Sequence, residues 1–304
     1  MTSSVVKKNA LSITAFATLL LIALLMGSNH IAARIAFNNG LDVATAVTSR
    51  SLVTALVVSL LIYIKKVPLT FTTKHKRALP LIAILIAVQS LTLYSAVARL
   101  PVSLALLAFN TYPLWTALWA RVFYQHKPDK ATLLAMPIML FGLALALDVL
   151  GASSGLGVKG QWGVIGAGVA FALTAAATFG MALVLIQHEA HDLDGRLRTA
   201  ATFWMVGILA CIGTQVMGDF HWPNAMAGWW GLAALIVLYG SGITILFTVL
   251  PKLGVVGNSA IMNVEPIFAL ILAWIILGQA VSMVQLVGAL IVVGTVIKLG
   301  LRKS

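Results

Sequence analysis

Apolar runs long enough to cross a lipid bilayer follow one another along almost the whole of this 304-residue chain. A hydrocarbon core of about 30 Å requires roughly 20 apolar residues in each spanning helix. Hydrophobic residues make up 61% of the sequence and charged residues only 9%, which excludes a soluble domain of ordinary composition. The sequence therefore predicts an all-α, polytopic membrane protein with no water-soluble domain.

Charged residues, Pro and Gly divide the apolar sequence into ten predicted transmembrane helices. They lie near residues 11–32, 44–64, 79–98, 101–124, 131–150, 162–187, 199–218, 228–250, 254–277 and 282–300. The last two are separated at Gly278-Gln279, because residues 254–297 as a single helix would be about 65 Å long, twice the bilayer thickness. The first run is longer than the apolar region of a cleaved signal peptide, so we expect it to be retained as a helix.

The positive charges are distributed unevenly between the two sides of this arrangement. With the N-terminus inside, 16 of the 20 Lys and Arg residues fall on the cytoplasmic side, and only Arg34, Arg50, Arg99 and Lys159 on the other. Short cytoplasmic loops retain Lys and Arg, so the asymmetry predicts a multi-pass protein of the cell inner membrane with both termini cytoplasmic. The net charge of +12 does not indicate nucleic-acid binding, because a basic groove requires a folded polar surface.

An internal repeat relates the two halves of the chain. Asn110-Thr-Tyr-Pro113 in the fourth helix is echoed by Asn263-Val-Glu-Pro266 in the ninth, at an offset of 153 residues that also pairs Arg99 with Lys252. The halves are 10–150 and 160–300, with five predicted helices each. Because five is odd, the second half enters the membrane in the opposite sense, which predicts inverted repeats. Such repeats are a recurring carrier design, in which two similar halves open a midplane site to either side.

Several stretches match the motifs of a known membrane-protein family. They are Met26-Gly-Ser-Asn29, Arg50 opening the second helix, Arg99-Leu-Pro-Val-Ser-Leu-Ala105, Asn263-Val-Glu-Pro-Ile-Phe268 and Leu277-Gly-Gln279. On these stretches the chain resembles the EamA family of the drug/metabolite transporter superfamily, with two EamA-type halves covering nearly the whole sequence. The resemblance implies a basket-like bundle around a central cavity, and substrates such as amino acids, other metabolites or drugs. Where the family usually has Gly-Glu, this chain has Gln125-His126 and Gly278-Gln279.

Glu265 is the acidic residue that falls inside a predicted span rather than in a loop or at a helix end. An ionised side chain at membrane depth costs at least about 2.5–3.5 kcal/mol, so this carboxyl should face a polar cavity or a partner, or be protonated. Pro266 beside it and Pro113 in the fourth helix each remove a backbone donor, which is tolerated where the freed carbonyl lines a cavity. An acid at a helix end and a purely geometric kink are the alternatives.

The candidate substrate-binding residues are polar or aromatic side chains inside the predicted spans. They are Asn29, Gln89, Tyr94, Asn110, Tyr112, Trp115, Asn263 and Glu265. Each also has an ordinary structural explanation, because amides in membrane helices often bond a neighbouring helix and aromatic rings often only pack. His30 is a further candidate for the cavity, but its place near the outer end of its helix favours an interfacial position.

The sequence shows no motif for a metal or a cofactor, and we predict neither. His188-Glu-Ala-His191 lacks the spacing that places two histidines and a general base on one helix face. A phosphate-binding loop, a dinucleotide fingerprint and a nucleophile elbow are missing too, which argues against ATP-driven transport by this chain alone.

These observations leave three functional hypotheses. The favoured one is a secondary carrier, not an enzyme, that exports amino acids or related small metabolites by alternating access. Transport is either coupled to protons that bind Glu265 or is facilitated diffusion. The second is an importer of the same architecture for a vitamin or a nucleotide-like compound. The third is an integral-membrane enzyme, for which only the sparse polar set around His188 qualifies. The expected partners are a small-molecule substrate and the bilayer, and the protein is a monomer or a homodimer.

Overall fold

A computed structural model describes residues 13–126, 130–148, 150–151, 155–218, 220–253, 265–279 and 281–302. All regular secondary structure in these ranges is helical. The helices are α1 (Ile13–Asn38), α2 (Val43–Ile64), α3 (Thr73–Arg99), α4 (Val102–Phe109), α5 (Tyr112–Tyr124), α6 (Lys130–Ala146), α7 (Gly157–Glu189), α8 (Gly195–Met217), α9 (Met226–Leu253), α10 (Glu265–Leu277) and α11 (Met283–Arg302).

Six of these helices, α1, α2, α3, α7, α8 and α9, are long and apolar enough to cross a membrane. Shorter apolar segments lie in α6, α10 and α11. Large apolar side chains such as Leu60, Val164 and Val237 are exposed on the outer surface, where lipid would satisfy them. The all-helical prediction is confirmed for the described residues, and the architecture is that of a polytopic membrane protein.

The predicted span near 101–124 is not one continuous helix. It divides into α4 and α5, with Asn110 and Thr111 between them. Pro113 lies in the first turn of α5, where its missing N–H leaves no intrahelical hydrogen bond unmade. In an unbroken helix the same ring would clash with the Phe109 carbonyl, so the interruption relieves that clash.

Hydropathy predicts one other helix boundary, the end of α10, and misplaces the start of α3. Helix α10 ends at Leu277, and Gly278 takes φ +62° before α11 begins, which confirms the predicted division at Gly278-Gln279. Helix α3 begins six residues before its predicted start, at a capping box that Thr72 and His75 form with each other's backbone N–H groups. Of the predicted ninth helix, residues 254–264 lie outside the described ranges.

The 153-residue offset recurs in the helix bounds. Shifting α5 by this offset gives 265–277, which are the bounds of α10, and the starts of α3 and α6 shift onto the starts of α9 and α11. The backbone repeats as well, because Gln125 after α5 and Gly278 after α10 are both left-handed, at φ 54° and 62°. Gln125 adopts this conformation in spite of its Cβ, so the turn is imposed by the fold rather than by the residue.

Helices of the two halves pack against each other at two small residues. Helix α1 crosses α10 at Gly27, where an added Cβ would lie 3.2 Å from the Glu265 carbonyl oxygen. Helix α7 crosses α5 at Gly180, where a Cβ would lie 2.8 Å from the backbone nitrogen of Thr116. Glycine permits these close backbone approaches, and the first of them brings α1 against the acidic start of α10.

Candidate functional site

Glu265 is the first residue of α10 and meets His30 of α1. The His30 Nε2 lies 3.4 Å from the Glu265 Oε1. The His30 side chain is buried and the Glu265 side chain is 22% exposed. The dipole of α10 favours a negative charge at its N-terminus, and the imidazole offers a partner beside it. The pair therefore holds an ionisable group between the two halves of the chain.

A chain of hydrogen bonds starts at Asn29, the residue before His30 on α1. The Tyr94 hydroxyl of α3 is fully buried and donates to the Asn29 side-chain oxygen at 2.7 Å. The same hydroxyl accepts from the Arg50 guanidinium of α2 at 3.1 Å, and Arg50 also donates to the Ser90 hydroxyl at 2.7 Å. The Asn29 amide donates to the Met26 carbonyl of its own helix. Three helices are thereby joined through buried side chains.

Aromatic rings connect the hydrogen-bonded chain to the acid. The Arg50 guanidinium carbon lies 4.6 Å from the centre of the Tyr94 ring and 3.9 Å from that of Tyr239 on α9. The His30 ring lies 5.5 Å from the Tyr94 ring. Tyr94 thus contacts both the cation and the imidazole beside Glu265. We call this set the buried polar network; it comprises Asn29, His30, Arg50, Ser90, Tyr94, Tyr239 and Glu265.

Several buried polar atoms in and beside the buried polar network have no partner among the described residues. His30 Nδ1, Arg50 Nε and the hydroxyls of Ser51 and Thr54 are buried and have no hydrogen-bond partner in the described part of the chain. Buried polar atoms are nearly always hydrogen-bonded, to protein, water or ligand. Thr54 lies one helical turn from Arg50 on α2, so its hydroxyl is on the same face of that helix as Arg50. These are the atoms that a bound water or polar ligand would satisfy.

Three of the predicted substrate-binding residues, Asn29, Tyr94 and Glu265, belong to the buried polar network. Gln89 lies at its edge, where its side-chain oxygen accepts from the Ser90 hydroxyl at 3.2 Å. Tyr112 is within electrostatic range of the Glu265 carboxylate and packs edge-on against Phe179, with ring centres 5.1 Å apart.

The remaining candidates lie elsewhere. Asn110 occupies the interruption between α4 and α5, and its amide donates to the Leu106 carbonyl at 2.8 Å. Trp115 packs where α5 crosses Gly180 and stacks on Trp119, with ring centres 6.4 Å apart. Asn263 lies outside the described residues.

Sequence reasoning did not nominate Arg50, Ser90 and Tyr239 for the site, and it favoured an interfacial position for the candidate His30. His30 is buried in the bundle, not in the interfacial position that its place near the helix end favoured. Arg50 is 3% exposed, although it was counted with the charges of the outer side. A usable signal existed for Arg50, because it lies seven residues inside an apolar helix, where a charge is costly.

A second polar cluster lies at one end of the bundle, where α3 begins beside the α7–α8 loop. Lys74 pairs with Glu189 at 3.5 Å, and His75 Nε2 lies 2.9 Å from Asp192 Oδ1. The hydrogen bond from His75 holds the pKa of the Asp192 carboxyl below its usual value. The loop acids after His188 are thus engaged with basic residues of the chain.

A cleft of about 790 Å³ opens elsewhere, between α2, the loop that follows it and α8. Its lining is mostly apolar and includes Ile62, Phe71 and Leu197, with Lys66 at its rim. Such a lining suits lipid chains better than a polar metabolite. The buried polar network is therefore the better candidate site for a polar small molecule.

The comparison with protein families decides the wider assignment. The profile of the EamA-like transporter family matches residues 13–147 and 166–300, which together cover most of the chain. The chain belongs to the EamA-like transporter family. As an EamA-like protein it is a membrane transporter of small molecules, and its two matches correspond to the repeat seen in the helix bounds.

Structural comparison places this EamA-like chain among known folds. A solved crystal structure aligns with 93% of the chain and 96% of its own length, with a TM-score of 0.63. Sequence identity is 15%, so this likeness concerns the fold alone. No curated protein sequence matches the chain.

Proposed function

We propose that this protein is a secondary carrier that exports amino acids or related small metabolites by alternating access. The observation that carries the proposal is the buried polar network, which joins α1, α2 and α3 of the first half to α9 and α10 of the second. A cation, an acid and unsatisfied hydroxyls buried together suit a small, polar, charged solute. In a bilayer such groups are retained where they contact substrate, ion or each other.

The helix pairing supports ten transmembrane helices arranged as two inverted five-helix repeats, 10–150 and 160–300. Helix α1 packs on α9 while α7 packs on α3, and α1 meets α10 while α7 meets α5. Helices that correspond at the 153-residue offset thus have corresponding partners in the opposite half. Two such halves can exchange conformations around a shared site, which is the basis of alternating access.

The depth of Glu265 fits a midplane site. Counted from Leu277, Glu265 lies about 18 Å along the axis of α10, a few ångströms beyond the middle of a 30 Å core. Discontinuous helices whose ends meet at the midplane are a recurring source of carrier binding sites. Pro113 and Pro266 occupy equivalent places at the starts of α5 and α10.

Within this proposal, the substrate contacts come from Asn29, Gln89, Tyr94, Tyr112 and Glu265. A role for Asn110, Trp115 and Asn263 stays a prediction from the sequence. Glu265 would bind a substrate ammonium group or a coupling proton, and His30 would share that proton. The protein would reside in the cell inner membrane with both termini cytoplasmic, as a monomer or a homodimer. Nucleic acid is not an expected partner.

Counterflow in liposomes that contain the purified protein tests the function. Vesicles preloaded with one unlabelled amino acid at millimolar concentration are diluted into a trace of the same labelled amino acid, for each of the twenty in turn. Transient accumulation above equilibrium for at least one compound is the expected result. Parallel vesicles with an imposed pH gradient test for proton coupling. Equilibration at the rate of protein-free vesicles for every amino acid would contradict the proposal.

A further inference from the structure

We propose that Arg50 is the anion-binding residue of this site and that the transported molecules carry a carboxylate that pairs with its guanidinium. The proposal rests on the function proposed above and narrows the class of substrate. Its basis is the buried positive charge of Arg50, which no carboxylate of the described residues compensates.

Arg50 is a buried cation without an acidic partner. Arg50 is only 3% exposed, and no carboxylate of the described residues lies within 4 Å of its guanidinium. The acid of the network, Glu265, is paired with His30 and not with Arg50. Buried charges are normally paired with an opposite charge. A substrate carboxylate would supply the missing one.

The guanidinium retains free hydrogen-bond donors. Arginine has five N–H groups in a planar fork. The Tyr94 and Ser90 hydroxyls each accept one of them and the Tyr239 side chain also interacts with the guanidinium, whereas the Nε is buried without a partner among the described residues. The fork geometry matches a carboxylate, which accepts two parallel N–H bonds. The edge that includes Nε is therefore the place for a carboxylate.

Neighbouring hydroxyls can complete the anion site. Ser51 follows Arg50 in sequence and Thr54 lies one turn further along the same helix, and both hydroxyls are buried without partners in the described structure. Thr54 faces α9 at Gly240, next to Tyr239 of the network. A hydroxyl can donate to the carboxylate oxygen that the guanidinium does not hold. The rings of Tyr94 and Tyr239 meanwhile keep the guanidinium in place.

Arg34 on α1 shows what a structural arginine looks like in this protein. Its guanidinium donates to the Val97 carbonyl at 2.6 Å and to the Leu100 carbonyl at 3.1 Å, at the end of α3. The Arg34 Nε, like that of Arg50, is buried without a partner among the described residues, so the two arginines differ in the helix-end carbonyls that only Arg34 contacts. The C-terminal end of a helix carries a partial negative charge, which compensates a cation placed there. Within the described part of the chain, the hydrogen bonds of Arg50 go to hydroxyls and none goes to a helix-end carbonyl. Arg34 therefore provides a matched control.

The network does not need Arg50 to remain hydrogen-bonded. Without the guanidinium, the Tyr94 hydroxyl still donates to Asn29 and the Ser90 hydroxyl still donates to Gln89. The two hydroxyls would lose only the hydrogen bonds that they accept from Arg50. An apolar side chain of similar length, as in Arg50→Met, should consequently fold.

The test compares each transported amino acid with its α-carboxamide, which has the same side chain and no carboxylate. Counterflow is measured for the wild-type protein, Arg50→Met, Arg50→Lys and the control Arg34→Met. We expect the wild type and Arg34→Met to prefer the acid to the amide by at least about 30-fold, the effect of losing one member of a buried charge pair. In Arg50→Met the preference should fall close to one, and Arg50→Lys should be intermediate.

Substrate-induced thermal stabilisation gives a second readout that does not depend on turnover. The amino acid should raise the unfolding midpoint of the wild type and of Arg34→Met but not of Arg50→Met. An unchanged acid-to-amide ratio in Arg50→Met would overturn the inference and leave the carrier function intact. If Arg50→Met does not fold, a wild-type ratio in Arg50→Lys would overturn it equally. A wild-type protein that carries neither compound contradicts the carrier function itself, and this inference with it.

Discussion

The Glu265 carboxylate lies 3.4 Å from the His30 imidazole, at the point where the second half of the chain meets the first. The contact depends on the close crossing of α1 and α10, which Gly27 permits. It places an acid and a titratable base side by side in the interior of a membrane protein. An ionisable group in contact with both halves is where the proposed carrier would bind its substrate or a coupling proton.

Tyr94→Phe should weaken both binding and stability, because one hydroxyl serves two partners. Its loss leaves the Asn29 oxygen and one Arg50 N–H without the bonds of 2.7 and 3.1 Å that they now make. The expected cost is about 1–3 kcal/mol of unfolding free energy, which thermal unfolding in detergent measures. Tyr63→Phe is the control, since that side chain is 81% exposed. Equal unfolding midpoints for the two variants would contradict the network as described.

Two glycines of α7 predict opposite responses to alanine. A Cβ on Gly180 would lie 2.8 Å from the Thr116 nitrogen and 2.9 Å from the Trp115 Cβ, so Gly180→Ala must push α5 away. We expect a loss of about 1–3 kcal/mol and reduced transport. Gly163 has no atom within 4 Å of its added Cβ among the described residues, so Gly163→Ala should be neutral or stabilising by about 0.4–1 kcal/mol. Equal destabilisation of both would show that the crossing is looser than described.

Acid should loosen the polar cluster at the start of α3. His75 lowers the pKa of Asp192, so the ionised carboxylate is the form that the folded loop stabilises. This contribution is fully present above about pH 4 and is lost as the pH falls through the lowered pKa. Hydrogen exchange of residues 189–195, corrected for intrinsic rates, should therefore accelerate at acid pH. In Asp192→Asn that added pH dependence should be absent, and its persistence would assign the effect to another group.

Hydropathy and the internal repeat sufficed to predict the helical class and which helices of the two halves correspond. Composition alone excluded a soluble fold, and the Asn-x-x-Pro echo gave the 153-residue offset that relates α5 to α10. These features are predictable because each depends on local sequence or on the thickness of the bilayer. The division after Leu277 followed from length in the same way.

The partners within the site could not be predicted from the chain alone. Arg50 stands 40 residues from Ser90 and 44 from Tyr94, and nothing local indicates that these side chains meet. The interruption at Asn110 was underestimated, because a proline inside a helix is compatible with a kink as well as a break. The early start of α3 was missed because its first turn, with Lys74 and His75, is polar and lies outside the apolar run.

Counterflow by Glu265→Gln tests the central claim most directly. The amide keeps the size of the side chain but can neither ionise nor exchange a proton. We expect transport to fall at least about tenfold while the unfolding midpoint stays near that of the wild type, because one charged contact at the site is lost. Glu189→Gln, in the polar cluster at the bundle end, should retain transport. Wild-type counterflow by Glu265→Gln would contradict the claim that the buried polar network is the substrate site.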